Sequence, residues 1–350
     1  MEKQRFNSHI TLVSPKNGEE IELTNGEVLK FINGYKKGLS VEHAFIADNY
    51  APDKLRLEWE SCADEEKWTV LLSYSEDLSN AFTFETDEKF LEVDCHFIKN
   101  KVFWKVLGKQ VESQTFNFNL KRLPENIFIE GVVNVRDIGG YSGEGGKRIK
   151  RGIIYRGAYV DGITENGKKF ANEVLKISTD LDLRNEGEGS ADSESSPIGE
   201  GVKHILKCGC MYTGNEWSGV EHVGKEGIDI PEGARKLVEE LLVFADKTNF
   251  PLYTHCVLGR DRTGTLICVL LALCGVSERD IMLDYELSFF SKSGCHEKTE
   301  ASKIIGYFEK VIDYIKTFEG ETLQEKVVSF LKQSGMSDAQ MSEIKNNILE

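Results

Sequence analysis

Metal-ligand spacing is missing from this chain, and cysteine is sparse. It has 8 cysteines in 350 residues. Cys208 and Cys210 form a C-x-C pair with no second pair at zinc-ligand spacing, which excludes a structural zinc module. The density is too low for a disulfide framework and points to a reducing compartment. Cys268 and Cys274 sit in an apolar run and read as buried free thiols. Positive charge is in deficit: 43 Lys and Arg against 58 Asp and Glu give a net charge of -15. That balance excludes nucleic acid or an anionic membrane as the main partner, while leaving room for a locally positive phosphate pocket. Long apolar runs are absent as well. The longest, "LICVLLALCGV", has 11 residues, too few for a transmembrane segment. The first twenty residues lack an apolar signal core. A cytoplasmic protein is expected, or a secreted one should a leader have been removed. There is no internal repeat.

What is present is enough for a real core. With 40% hydrophobic and 29% charged residues, the chain suits one large domain or two ordinary ones. Residues 1–122 read as β-rich. "KLRLEWES" and "QTFNFNL" alternate apolar and polar positions, and "KWTVLLSYSED" and "KVFWKVLG" are rich in strand formers, with one helix expected near "GEVLKFINGYK". A small β-sandwich is expected there. Trp59 and Trp104 resemble core positions of a fibronectin type III-like domain. This region is a candidate docking module for a partner whose identity its sequence does not give. Around Pro124 the pattern changes. Over 123–350 short apolar strands ("GIIYRG", "ISTDLDLR", "VKHILKC", "FPLYTHC") alternate with helical stretches, so an α/β domain with a mostly parallel sheet flanked by helices is expected.

The chemistry concentrates in "YTHCVLGRDRTGTL", 253–266. "NFPLYT" reads as a buried strand and "RTGTLICVLLALCGV" as a helix apolar nearly all round. The residues between them wrap a helix N-terminus, whose unpaired amides and partial positive charge attract an anion. Gly259 permits the wrapping, and Gly264 lets the helix start pack closely. Cys256 opens the loop, where the helix end and a nearby cation lower its pKa. Arg262 closes it, with a planar fork able to grip two phosphate oxygens. The six-position spacing lets one residue attack phosphorus while the other holds the equatorial oxygens. Val257, Leu258, Gly259 and Arg260, between them, are expected to line the substrate phosphate.

With His255, Thr263 and Gly264, this stretch resembles the cysteine-based protein tyrosine phosphatase superfamily, whose signature is H-C-x-x-G-x-x-R-[ST]-G. "NVRDIGGY" (134–141), "RGIIYRGAYV" (151–160), "TDLDLRNEGE" (179–188) and "IMLDYELS" (281–288) are similar to further blocks of its atypical, mainly microbial tyrosine/serine phosphatase branch. The match runs over about 125–350. Arg260 stands where that branch usually has lysine. The resemblance implies that Cys256 is the nucleophile and forms a phosphocysteine, that Arg262 binds phosphate and the transition state, that Thr263 assists hydrolysis of the intermediate, and that His255 holds the loop. It implies no metal or other cofactor. Asp261 is the favoured general acid, with Asp229 and Asp182 as the other candidates.

Asp182 and Arg184 end a strand and are read either as crevice residues that meet the substrate or as an ion pair fixing loops. Arg136 and Asp137 lean to a structural role, with Gly139 and Gly140 shaping a turn. "FFSKSGCHEKTEASK", with Lys292 and Lys298, is read as a lid or as a solvated helix start. Substrates expected are phosphotyrosine and also phosphoserine or phosphothreonine proteins. The alternative is a phosphoinositide or inositol polyphosphate, which a charge at Arg260 would favour. A phosphate-binding pseudophosphatase is the non-enzyme reading, disfavoured because cysteine, arginine and aspartate are all retained.

Overall fold

The computed structural model describes residues 10–22, 26–35, 37, 54–63, 65–93, 101–121, 125–214, 227–291 and 297–350. Contacts divide the chain into two units: Met1–Thr24 with Pro52–Arg122, and Asn25–Ala51 with Leu123–Glu350.

The first unit holds strands β1 (Ile10–Ser14), β2 (Glu19–Glu22), β3 (Leu55–Ser61), β4 (Trp68–Ser73), β5 (Phe82–Thr86), β6 (Phe90–Val93), β7 (Lys101–Leu107) and β8 (Phe116–Lys121). They form a three-stranded sheet, β1-β3-β6, and a five-stranded one, β2-β8-β7-β4-β5. The alternation in β3 buries Leu55, Leu57 and Trp59, and β7 buries Val102, Trp104 and Val106. These side chains meet in one core, as a sandwich requires. Pairing is antiparallel except between β2 and β8, which run parallel.

The second unit begins with a helix from the stretch read as part of the β-rich region. In α1 (Gly26–Gly34), Val28 and Phe31 enter the second unit's core, with Tyr35 just beyond. The Tyr35 hydroxyl donates to Glu286 at 2.7 Å, and Phe31 packs on Phe290 with ring centroids 5.0 Å apart. The remaining elements are β9 (Glu125–Asn126), β10 (Arg136–Asp137), β11 (Ile154–Gly157), α2 (Glu165–Lys169), β12 (Thr179–Asp182), β13 (Lys203–Leu206), α3 (Pro231–Leu242), β14 (Leu252–His255), α4 (Asp261–Leu273), α5 (Glu278–Glu286), α6 (Lys298–Ile315), α7 (Leu323–Gln333) and α8 (Asp338–Ile348). One six-stranded sheet has the order β13-β12-β14-β11-β10-β9. Its first four strands are parallel, and β10 runs antiparallel to both its neighbours. The apolar helix α4 is buried along nearly its whole length and packs against α3, α5, α6 and α7. No described helix is long and apolar enough to cross a membrane.

Candidate active site

His255 ends β14, level with Gly157 of β11 and Asp182 of β12. The loop 256–260 therefore leaves the sheet where three parallel strands stop together, the usual place for a crevice. Its carbonyls are tied from outside. The Tyr159 amide donates to the Val257 carbonyl at 3.2 Å. Asn134 Nδ2 donates to that of Leu258 at 3.0 Å, and Arg156 Nη2 to that of Gly259 at 2.7 Å. In a trans peptide the N–H points opposite the C=O. The amides of Leu258, Gly259 and Arg260 are thus turned away from these anchors, as an anion nest needs. Gly259 has a φ of 64° and lies so close to Gly157 that a Cβ would sit 2.0 Å from its carbonyl oxygen, so only glycine fits.

The anchors share one hub. Asp284 of α5, fully buried, pairs with Arg136 Nε at 2.9 Å and with Arg156 Nη1. Arg136 also donates to Asn134 Oδ1 at 2.7 Å and to Ser288 at 3.1 Å. The block residues Asn134, Arg136, Arg156 and Asp284 thus form a scaffold behind the loop. Asp137 braces the neighbouring turn, accepting from the amides of Gly139 at 2.8 Å and Gly152 at 2.7 Å.

His255 is enclosed completely, with Nε2 2.9 Å from Asp180 and Nδ1 3.2 Å from the Cys256 carbonyl. Burial disfavours its charged form, but Asp180 and Asp182 outweigh that and raise its pKa.

Cys256 is also buried, at 2% exposure. Burial pushes the thiol up, yet the Arg262 charge and the hydroxyl and amide of Thr263 pull harder, and the pKa ends below the ordinary thiol value. Arg262 is gripped by Glu188, with Nη1 2.7 Å from Oε2 and Nη2 3.4 Å from Oε1.

Asp261, in the first turn of α4, accepts from Arg260 Nε at 2.8 Å and from the Tyr212 hydroxyl. Tyr212 is in turn 2.6 Å, hydroxyl to hydroxyl, from Tyr285. Gly264 leaves room for the Tyr285 ring, since a Cβ there would come within 2.8 Å of Cδ2.

Two sequence expectations are corrected. Arg260 is not a charge offered to substrate. Its side chain is buried against Asp261, with the guanidinium 5.5 Å from the Phe289 ring centroid. Asp182 and Arg184 do not face the crevice as substrate-binding residues. Arg184 Nη2 is 2.8 Å from Asp182 Oδ2, and its Nη1 is 3.0 Å from Asp161. Ser190, also bonded to Arg184, completes a clamp on the segment that presents Glu188. The ion-pair alternative for these residues is present, and Asp182 is fully buried.

Asp229 accepts from the Gly214 amide at 2.6 Å and lines a cleft with Tyr314, Phe318 and Phe330, to which no residue of 255–264 contributes. Lys292 and the side chain of Lys298 lie outside the described residues. The Cys208–Cys210 segment passes beside Arg262, since a Cβ at Gly209 would lie 3.2 Å from Arg262 Cβ; neither thiol is in a disulfide. Glu188, Asn134, Arg156, Asp284, Tyr212 and Tyr285 were not singled out from sequence. All but Asn134 and Tyr212 sit inside the quoted blocks "RGIIYRGAYV", "TDLDLRNEGE" and "IMLDYELS", and Asn134 opens "NVRDIGGY". Tyr212 gave no signal.

A sequence profile described as the tyrosine phosphatase family matches residues 127–350. A Cupriavidus necator protein, named as a candidate tyrosine-protein phosphatase, is 25% identical over 170 residues, 46% of this chain. The chain spans 62% of that relative's length. Among solved structures, the core catalytic domain of the PP-IP phosphatase SIW14 from S. cerevisiae, in complex with citrate, is similar at 21% identity and a TM-score of 0.30. That match covers 47% of this chain and 84% of the other. A second Siw14 catalytic core is 22% identical with a TM-score of 0.29, covering 42% and 77%.

Proposed function

This chain belongs to the tyrosine phosphatase family, and from that membership we propose that it hydrolyses phosphomonoesters, phosphotyrosine proteins first among them, through a Cys256 thiolate. The observation that carries the reading is the buried Cys256 thiol: it opens a loop whose carbonyls are tied from outside, and Arg262 and Thr263 lower its pKa against burial. A thiolate beside a cation, under inward-turned amides, is suited to attack phosphorus.

In the first step the Cys256 Sγ–P bond forms as the ester P–O bond breaks. Arg262 and the loop amides hold the equatorial oxygens, and Asp261 passes a proton to the leaving oxygen. In the second step water attacks the phosphocysteine, Asp261 takes the water's proton, and the S–P bond breaks to return the thiolate. Thr263, beside the sulfur, stabilises that leaving thiolate.

Phosphoserine and phosphothreonine proteins belong to the same reading. The burial of Arg260 against Asp261 weighs against inositol polyphosphates. The test is phosphate release in EDTA from phosphotyrosine and phosphoserine peptides, phosphoinositides and inositol hexakisphosphate, with wild type and Cys256→Ser. Turnover of the peptides by wild type is expected. Cys256→Ser should lose it and still bind phosphate. Turnover that survives in Cys256→Ser would overturn the mechanism. Turnover confined to inositol compounds would overturn the substrate class.

A further inference from the structure

Tyr212 is a costly residue to place. It lies just past β13 with a φ of 49°, a left-handed conformation that a bulky side chain adopts at a penalty of ~1–3 kcal/mol. Its surroundings hold it there. The Tyr212 amide donates to Thr265 Oγ1 at 3.1 Å, and Thr265 donates to the Asp261 carbonyl at 3.1 Å. Its own carbonyl accepts from the Ile228 amide at 2.8 Å. The result is a fully enclosed ring whose hydroxyl meets the Asp261 carboxylate.

The direction of the chain of hydroxyls follows from donor counting. A carboxyl oxygen that carries no proton only accepts, and a phenol has one proton to give. Tyr212 therefore donates to Asp261 Oδ1, and Tyr285 donates to Tyr212. Burial and the Asp261 charge raise the pKa of both phenols well above the usual value, so both stay protonated donors. Tyr285 is itself immobilised, stacked on Phe308 of α6 with centroids 3.7 Å apart and planes 2° from parallel. Arg260 Nε holds the same Oδ1 at 2.8 Å, and Arg260 Nη2 approaches Oδ2 at 3.3 Å.

We propose that Tyr212 and Tyr285 are positioning residues for the proton transfer by Asp261: they pin Oδ1, so that Oδ2 is the oxygen that carries the proton to the leaving group. The proposal rests on the phosphatase reading above. Charged and titratable groups among the described residues face the carboxylate from three directions. From its own loop these are Cys256, Arg260 and Arg262, the last partnered by Glu188. Tyr212 comes from the segment after β13, and Tyr285, with Arg156 behind it, from α5.

The experiment compares wild type, Tyr212→Phe, Tyr285→Phe and Asp261→Asn on two aryl phosphates, one with a good and one with a poor leaving group, across pH. Both Phe variants keep their rings, and thermal melting checks that they are folded. Asp261→Asn is expected to lose ~100-fold or more on the poor leaving group. Tyr212→Phe should lose about tenfold there, the worth of one hydrogen bond to a charged group, with a smaller loss in Tyr285→Phe and little change in either on the good leaving group. Equal losses on both substrates, or no loss in Tyr212→Phe on either, would overturn the proposal. Absence of any Cys256-dependent turnover by wild type would instead remove the phosphatase reading, and this proposal with it.

Discussion

Cys268 and Cys274 behave as buried thiols ordinarily do, with pKa values pushed up to about 12 by enclosure. Cys256, equally enclosed, goes the other way because Arg262 is beside it. Arg262→Ala should therefore raise the Cys256 pKa and slow its alkylation by iodoacetamide at pH 6–7 by about tenfold or more, one pKa step being tenfold in thiolate. Alkylation at the wild-type rate would place the control of the sulfur elsewhere. Gly264→Ala should drive a methyl into the Tyr285 ring and cost about 1–3 kcal/mol, read as a lower melting temperature. At this scale the sequence was most legible. The spacing of Cys256 and Arg262 and the glycines at 259 and 264 each encode a local requirement. Glu188 and Tyr212 were not legible, since their partners lie 74 and 49 positions away and no local pattern announces such a pairing.

Helix α5 contributes more to the loop than its distance along the chain suggests. Burial pushes the Asp284 carboxyl up, but Arg136 and Arg156 outweigh it, and its pKa ends below the ordinary range. A carboxyl whose folded pKa lies below its unfolded one contributes stability above the unfolded value and loses it as pH falls through the folded one. Asp284→Asn should thus destabilise most at neutral pH, by about 3–5 kcal/mol because two buried guanidinium groups lose their partner. The gap to wild type should close as pH drops below ~4. Denaturant unfolding at pH 7 and at low pH measures this, and a gap independent of pH would mean that the charge of Asp284 is not what matters. "IMLDYELS" was legible only as a block of the resemblance, and its role was hidden because only the sheet brings Arg136 and Arg156 to Asp284. The parallel pairing of β2 with β8 was equally unreadable, because alternation fixes a strand's faces and not its neighbour.

Across the whole molecule the main departure from the sequence reading is α1. Its apolar spacing was visible, but not the core it would enter, since a helix buries its stripe wherever the tertiary fold offers a surface. A chain beginning at residue 123 would leave the second unit without Val28, Phe31 and Tyr35, and would leave Glu286 without the Tyr35 hydroxyl. Relative to the full chain it should lose about 2–5 kcal/mol, comparable to deleting one large core side chain, with a lower second-unit melting temperature by calorimetry. Equal melting temperatures would show that α1 is dispensable there.

The placement of α1 also has a consequence in time. The ribosome releases β1 and β2, then the helix, then the other six strands of the sandwich, and only afterwards Glu286 and Phe290, which α1 and Tyr35 meet. Synthesis therefore delivers a piece of the second unit in the middle of the first. The sandwich can close while α1 has no partner, its apolar stripe facing water until the last two-thirds of the chain emerges. Vectorial folding, with the N-terminal part assembling first, leaves this helix as the element that waits, and so as the segment most in need of shielding on a nascent chain.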